Sequence, residues 1–527
     1  MAVLEHEFFE PCLAHASDLA RSVVEAMKSP AAYPVAVSGV AHHETHISHV
    51  FLAGEFAYKI KKPIKTSFLD FTTLEKRHHY CKEELRLDRR YAEDLYIGVV
   101  AITMENNRVC VEGHGEPVDY AVKLHRFPDD ALLSRRLEVG LVTTSEVHRL
   151  AARIASFHAT ANHGDKDQAL RVPAMLFANL KEIIAGLRKD TSGPIAAALA
   201  ELHRWSESYF AKHEQSFVAR SQNGFVRECH GDLHAENIVH WKGSLVPFDG
   251  IEFNDAFRWI DVMNDAAFLS MDLSARGRLD LSRLFINSYL ESTGDHASLV
   301  VLRWYLVYRS LIRAMVAKMK AGQHENEPEL QRSANEDCNN HIRLANRFTL
   351  TDSPALYITH GLSGSGKTTA SEVVVALRGA IRLRSDVERK RHFGLSVDDA
   401  INETLRHKIY CESANIATYN RLERLASGLL QAGYPVVIDA TFLRQSDRER
   451  FRRFAASENV PFAILDCRAD VQTLRQRIND RIANGNDASD ADLHVLNLQL
   501  ASQEQLTAME LTSVVTTENL VANINPL

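Results

Sequence analysis

Apolar positions recur at helical spacing from Leu13 to Met27, which predicts an opening helix that stops near Pro30. His49 to Ile60 is instead extended and apolar, Leu74 to Tyr91 returns to helix with Glu, Lys and Arg on its polar side, and Tyr96 to Met104 reads as strand. This alternation predicts a small mixed α+β lobe. From Ser145 to about Arg220 the pattern is helical, a short strand, loop and strand cover Val226 to Asp249, and helices dominate from Trp259 to Arg347, so the second lobe is mostly α. Polar residues fill Gln323 to Asn340, and Thr349 to Pro354 supplies turn residues before a new strand at Ala355. The domain boundary is therefore placed near 350, dividing 1–349 from 350–527. Beyond it, short apolar strands at Leu356 to Thr359, Val436 to Ile438 and Phe462 to Leu465 alternate with helices from Lys367, Ser446 and Val471, the order of βαβ units and a parallel sheet. The expected fold is a two-lobed α+β domain followed by an α/β domain.

Composition narrows the function classes. Of 527 residues, 45% are hydrophobic and 24% charged, as in ordinary globular domains, and 61 Lys plus Arg against 68 Asp plus Glu leave a net charge of -7. That balance lacks the basic excess of a protein that coats duplexes, so nucleic acid is not the favoured partner. Seven scattered cysteines with no C-x-x-C pair exclude a zinc cage and a disulfide framework, and an acidic N-terminus replaces the basic start of a signal peptide. A cytoplasmic location is expected. The most apolar helical stretch, Leu299 to Met319, carries Arg303, Arg309, Arg313 and Lys318, which makes it a buried amphipathic helix and not a membrane span. The oligomeric state stays open.

Gly361-Leu362-Ser363-Gly364-Ser365-Gly366-Lys367-Thr368 satisfies G-x-x-x-x-G-K-[ST] between a predicted strand and a predicted helix. Its backbone N–H groups, with Ser363, Ser365 and Thr369, are placed to wrap phosphate oxygens, Lys367 to neutralise the β and γ phosphates, and Thr368 to ligate Mg²⁺. The next strands end in acids. Asp386 is placed for the acceptor hydroxyl, with Arg389 three residues on, and Asp439 either holds Mg²⁺ through water or orients the acceptor. Arg468, Arg475, Arg477 and Arg481 precede the polar stretch Asn484 to Asp490, as in a lid that closes cations over a transferring phosphoryl group. With these residues the region from about 352 onward resembles the small P-loop kinases of the zeta-toxin and polynucleotide-kinase type. The resemblance implies transfer to a hydroxyl, with Asp386 and the arginines Arg475 to Arg481 at the reacting centre.

The densest cluster is His230-Gly231-Asp232-Leu233-His234-Ala235-Glu236-Asn237, followed by a predicted hairpin and Asp249. Asp, four residues, Asn and a later Asp is the spacing of a kinase catalytic loop, in which the first Asp meets the acceptor hydroxyl and the other two hold Mg²⁺. Upstream, Lys59 ends a strand as the phosphate-pairing lysine does, with Glu84 or its neighbour Glu83 as the helix acid to lock it. H-G-D in place of H-R-D resembles the aminoglycoside phosphotransferase family, over about residues 35 to 320. The resemblance implies a kinase-like two-lobed fold, small-molecule hydroxyl acceptors, Asp232 as base, and Asn237 and Asp249 as Mg²⁺ ligands. Two departures stand out: Glu44 to Val50, where a glycine-rich loop belongs, has no glycine, and Asp249 is followed by Gly250-Ile251-Glu252 and not by Phe-Gly. The histidines at 42, 43, 46 and 49 lack zincin spacing and read as strand, turn, strand. Asp261 and Asp265, four apart, are either an acidic recognition patch or helix-start acids.

The sequence thus predicts a phosphotransferase with two kinase-type centres, each using ATP and Mg²⁺ on a hydroxyl of a small-molecule or nucleotide-like acceptor. The alternative is a regulatory ATP-binding protein in which one domain senses nucleotide or metabolite and only the other is catalytic.

Overall fold

Two-residue periodicity in the first hundred residues builds an antiparallel sheet with two different faces. The computed structural model describes residues 18–516 and 519, apart from 67, 190, 352, 397, 398, 400–404, 406, 407 and 485–490. The start of the expected opening helix and the polar stretch from 485 therefore lie outside the described residues; the helix itself is seen as Asp18–Met27. Strands β1 (Val40–Glu44), β2 (Ser48–Ala53), β3 (Phe56–Lys61), β4 (Tyr96–Glu105), β5 (Arg108–Val111) and β6 (Glu116–His125) lie in the order β1-β2-β3-β6-β4-β5. Alternate side chains of a strand point to opposite faces. Phe51, Tyr58, Ile60, Ile102 and Ala121 join one apolar cluster with Val23 and Met27, while Ala57, Val122 and Leu124 join another with Cys81 and Leu95. Lys59 and Lys61 share the second face with Ala57, and the helix Leu74–Ala92, capped by Thr73 accepting from the Lys76 N–H, brings Glu84 to both lysines.

The second lobe is helical, as the pattern predicts. The helix Thr144–Thr160 begins with a capping box in which Thr143 and Glu146 satisfy each other's backbone, and Lys166–Arg188, Gly193–Gln222 and Val262–Ala275 follow. Much of the polar segment from 323 is the helix Pro328–Thr349, because Ala334, Cys338, His341, Ile342 and Ala345 recur at helical spacing and are buried. Between the helices stand two small pairs: β7 (Val226–Glu228) with β10 (Trp259–Asp261), and β8 (Ile238–Trp241) with β9 (Ser244–Pro247). The β8–β9 turn places Lys242 and Gly243 at φ of 47° and 81°, the two positive values that a tight hairpin needs.

The chain forms two compact units, one of residues up to Arg276 with Trp304–Arg347, the other of Gly277–Arg303 with Phe348–Leu527. In the second, β11 (Leu356–His360), β12 (Ile381–Arg384), β13 (Val436–Asp439) and β14 (Phe462–Asp466) form an all-parallel sheet in the order β12-β13-β11-β14. Every residue of β13 is buried, as expected for a strand covered on both faces. The helix Leu279–Thr293 belongs to this unit: Asn287 accepts from the Arg382 N–H at 2.7 Å and donates to the Ala380 carbonyl at 3.1 Å, and Glu291 pairs with Arg382 and Arg384 at 3.0 and 2.8 Å. Among the described residues no helix is long and apolar enough to cross a membrane.

Candidate active sites

In the first unit, five charged residues from three stretches of sequence meet beside the sheet. Lys59 Nζ lies 3.0 Å from Glu84 Oε1 and also pairs with Asp249, while Lys61 Nζ lies 2.7 Å from Glu84 Oε2 and pairs with Glu252. Lys61 and Glu84 have no exposed side-chain surface. Burial raises the proton affinity of the Glu84 carboxyl, but the two lysines outweigh it and hold its pKa at about 2. Glu84, and not Glu83, is the locking acid; Glu83 instead pairs with Arg86 at 2.6 Å.

The loop after β7 carries Asp232 and Asn237. Gly231 has φ of 83°, and a Cβ there would lie 2.6 Å from the Phe257 carbonyl oxygen, so no other residue fits between His230 and Asp232. The loop is pinned from below: Asp265 accepts from the His230 and Gly231 N–H groups, both at 3.0 Å, and Arg309 donates to the Gly231 carbonyl at 3.0 Å. Asn237 Nδ2 donates to Asp232 Oδ2 at 3.0 Å, and His234 lies 3.3 Å from the same oxygen. Burial opposes the Asp232 charge, yet His234, Arg313 and His230 hold its carboxyl well below the usual carboxylate range. Past the β8–β9 hairpin, Asp249 sits at φ of 61° with its N–H donated to Tyr96 Oη at 3.1 Å, and the Gly250 N–H goes to Asp88 at 2.8 Å. Lys59, Asp232 and Asp249 all line one cavity of about 1260 Å³.

The second unit builds its loop from consecutive residues. Gly361, Gly364 and Gly366 take φ of 147°, 82° and 92°, and a Cβ on Gly361 would fall 2.3 Å from the Cys467 carbonyl oxygen and 2.6 Å from Ser365 Oγ. Lys367 Nζ donates to the Leu362 carbonyl at 2.8 Å, the Ser363 N–H to Gln499 at 2.8 Å, and Thr368 Oγ1 to Asp439 Oδ2 at 3.0 Å. Ser365 Oγ is buried with no partner among the described residues, and Thr369 is exposed. Asp386, second residue of the helix Ser385–His392, is close enough to Lys367 and Asp439 for each to act on its charge, and burial raises its proton affinity. The loop, the Thr368 and Asp439 oxygens and Lys367 fit a nucleotide triphosphate with Mg²⁺.

The arginines divide. Arg477 donates to the Gly364 carbonyl at 3.1 Å, and Arg481 lies near enough to add to burial in depressing the Lys367 ammonium, against the pull of Asp439 and Asp386. Arg475 is exposed, and Arg389 is turned to the Ile409 carbonyl at 3.0 Å and the Tyr410 ring. Asp261 and Asp265 are structural, the first capping the helix Val262–Ala275 and pairing with Arg220 at 2.6 Å, the second holding the catalytic-type loop. Sequence reasoning missed Lys61, Glu252, Asp88, His234 and Arg313. A signal for Lys61 existed: two residues after Lys59, it had to share its face.

A family model described as an AAA domain matches residues 356–506. The uncharacterized protein Rv2004c of Mycobacterium tuberculosis is 30% identical over 450 residues, which span 85% of this chain and 87% of the relative, and a Mycobacterium bovis protein matches with the same figures. This chain belongs to the family of those mycobacterial proteins. Among solved structures, a choline/ethanolamine kinase family protein from Mesorhizobium loti aligns at 12% identity over 62% of this chain and 99% of that one, with a TM-score of 0.37. A gluconokinase from Sinorhizobium meliloti 1021 aligns at 16% identity over 32% of this chain and 91% of its own, with a TM-score of 0.24. The matched AAA-domain segment lies in the second unit and takes in the Gly361–Thr368 loop and all four strands of the parallel sheet.

Proposed function

We propose that the chain is an ATP-dependent phosphotransferase with two kinase-type centres, each moving the γ-phosphoryl of ATP to a hydroxyl of a small-molecule or nucleotide-like acceptor. The observation that carries this reading is the repeated set: a lysine, a pair of Mg²⁺-type ligands and a further carboxylate come together in each unit. These are Lys59, Asn237, Asp249 and Asp232 in the first, and Lys367, Thr368, Asp439 and Asp386 in the second.

In the first unit Asp232, kept ionised by His234, takes the proton of the acceptor hydroxyl while Asn237 fixes its carboxylate. Lys59, held by Glu84, neutralises phosphate charge. In the second, Asp386 takes the equivalent proton, the loop Gly361–Thr368 cradles phosphate with backbone N–H groups, and Arg481 supplies a cation beside Lys367, with Arg477 and Arg475 earlier on the same helix. Bound Mg²⁺ supplies charge neutralisation at the phosphate oxygens. Rate enhancement then comes mainly from positioning and electrostatics.

The test incubates the full-length protein with labelled ATP and a cell metabolite extract, comparing the parent with Asp232→Asn and Lys367→Ala. Two product sets, each lost in one variant, are expected. One feature favours the regulatory alternative for the first unit: the turn between β1 and β2, Thr45 to Ile47, has no glycine to let backbone approach phosphate. Tight ATP binding by the first unit with no product dependent on Asp232 would decide for a sensor.

A further inference from the structure

The cavity of the first unit has more room than one ligand takes. Pockets for single small ligands run to about 1,000 Å³, and here about 1260 Å³ is lined by Lys59, Asp232 and Asp249 together with a broad apolar wall. Met175, Ile183, Phe257, Ile312, Met315 and Met319 belong to that wall, which calls for a ligand with an apolar body.

Charge in the cavity is unevenly settled. Asp249 and Glu252 are paired with Lys59 and Lys61, and Arg309 gives its donors to Asn264 at 2.8 Å and to the Gly231 carbonyl. The other acids on the wall, Asp129 and Glu182, are exposed. Arg313, one helical turn after Arg309, is half-buried on the same wall and acts electrostatically on Asp232, Asp272 and His234, while no hydrogen bond to its guanidinium is found among the described residues. Asp232 and Asp272 balance its charge without occupying its donors, and a guanidinium fork matches a carboxylate or phosphate with two parallel hydrogen bonds. A polycationic or quaternary ammonium acceptor would meet repulsion at that spot.

Building on the phosphotransferase reading, we infer that the acceptor of the first unit is an anionic alcohol with an apolar body, its carboxylate or phosphate held by Arg313 and its hydroxyl presented to Asp232. In the reaction the hydroxyl O–H bond breaks and its proton passes to the Asp232 carboxylate. The acceptor oxygen forms the new bond to the γ phosphorus as the bond from that phosphorus to the β,γ-bridging oxygen breaks, and ADP leaves with the electron pair.

Calorimetric titration of the full-length protein with Mg²⁺ and ADP present tests the assignment, using 3-hydroxydecanoate, its methyl ester, the corresponding hydroxyalkyl phosphate and choline as probes. The hydroxy acid or the hydroxyalkyl phosphate is expected to bind at least about tenfold more tightly than the ester, the size of a charge-assisted pair, and whichever binds more tightly names the anion. Arg313→Gln should erase that preference while leaving the ester within about twofold of its parent affinity, which also shows that the variant is folded, and Arg313→Lys should recover part of it. Choline binding better than the anions, equal affinities in the parent, no binding of any probe, or a preference that survives Arg313→Gln would each overturn the inference. Transfer from labelled ATP is read separately: an anion bound as expected but never phosphorylated supports the ligand class and removes the phosphotransferase reading.

Discussion

In the first unit the clustered charges come from residues 59, 61, 84, 249 and 252, drawn together from one strand, one helix and one loop, whereas in the second eight consecutive residues shape the loop around a helix start. The first arrangement is held by side-chain ion pairs in a dry setting and the second by backbone geometry that only glycine tolerates. The contrast teaches where each is vulnerable: one to the loss of a single partner, the other to a single added methyl group.

The sharpest way to break the comparison is to silence one centre at a time. Asp232→Asn should lower transfer by the first unit by about 10²- to 10⁴-fold with the second unit's products unchanged, and Lys367→Ala should do the reverse; product analysis by chromatography with labelled ATP reads both. Loss of both product sets in either variant would rule out independent centres. Asp386→Asn, nearly isosteric, should bind ATP like the parent and lose about 10²- to 10⁴-fold in transfer. Transfer within a factor of about three of the parent would move the role to Asp439.

These two centres were unequally legible. Gly361–Thr368 and the loop from His230 to Asn237 carry their chemistry in contiguous spacing, so Asp232, Asn237, Lys367 and Thr368 could be named before any fold was known. The sheet order depends on pairings between strands that are not neighbours in sequence, and the buried Lys61–Glu252 pair that completes the Lys59 cluster on a contact 191 residues apart; no local pattern encodes those. Asp265 shows the same limit from the other side: in sequence it is a helix acid near a tryptophan, and only the folded loop above it reveals what it holds. The helix Leu279–Thr293 looks like its neighbours in composition, yet its Asn287 and Glu291 serve the β12 strand.

Smaller effects sharpen the contrast in stability. Glu84→Gln strands buried lysine charge and should cost the first unit about 3 kcal/mol, read as a lower urea midpoint, and Glu291→Gln should weaken the second through Arg382 and Arg384. Both carboxyls are opposed by burial but pulled down to about 2, Glu84 by Lys59 and Lys61 and Glu291 by Arg384 and Arg382. Since an unfolded glutamate titrates near about 4.3, each contributes stability that is complete above that pH and is lost as the pH falls toward about 2. Denaturation at pH 6 and pH 3 should show both units weakened in acid, with the drop flattened in the first by Glu84→Gln and in the second by Glu291→Gln. Gly231→Ala comes last. Its positive φ and the nearby Phe257 carbonyl should cost about 2 kcal/mol, seen as a lower melting temperature with the second unit's transition unmoved.

Asn287 has a consequence for anyone wishing to cut this chain. By offering both an acceptor and a donor to backbone groups around β12, it acts as a surrogate strand along one outer margin of the parallel sheet. A fragment that starts at Thr349 keeps every residue of the P-loop but leaves that margin bare, with Arg382 and Arg384 stripped of Glu291. Unprotected sheet edges recruit other chains. Such a fragment should self-associate on purification, and a soluble P-loop half needs Gly277–Arg303 restored, by permutation or by co-expression, before its enzymology can be trusted.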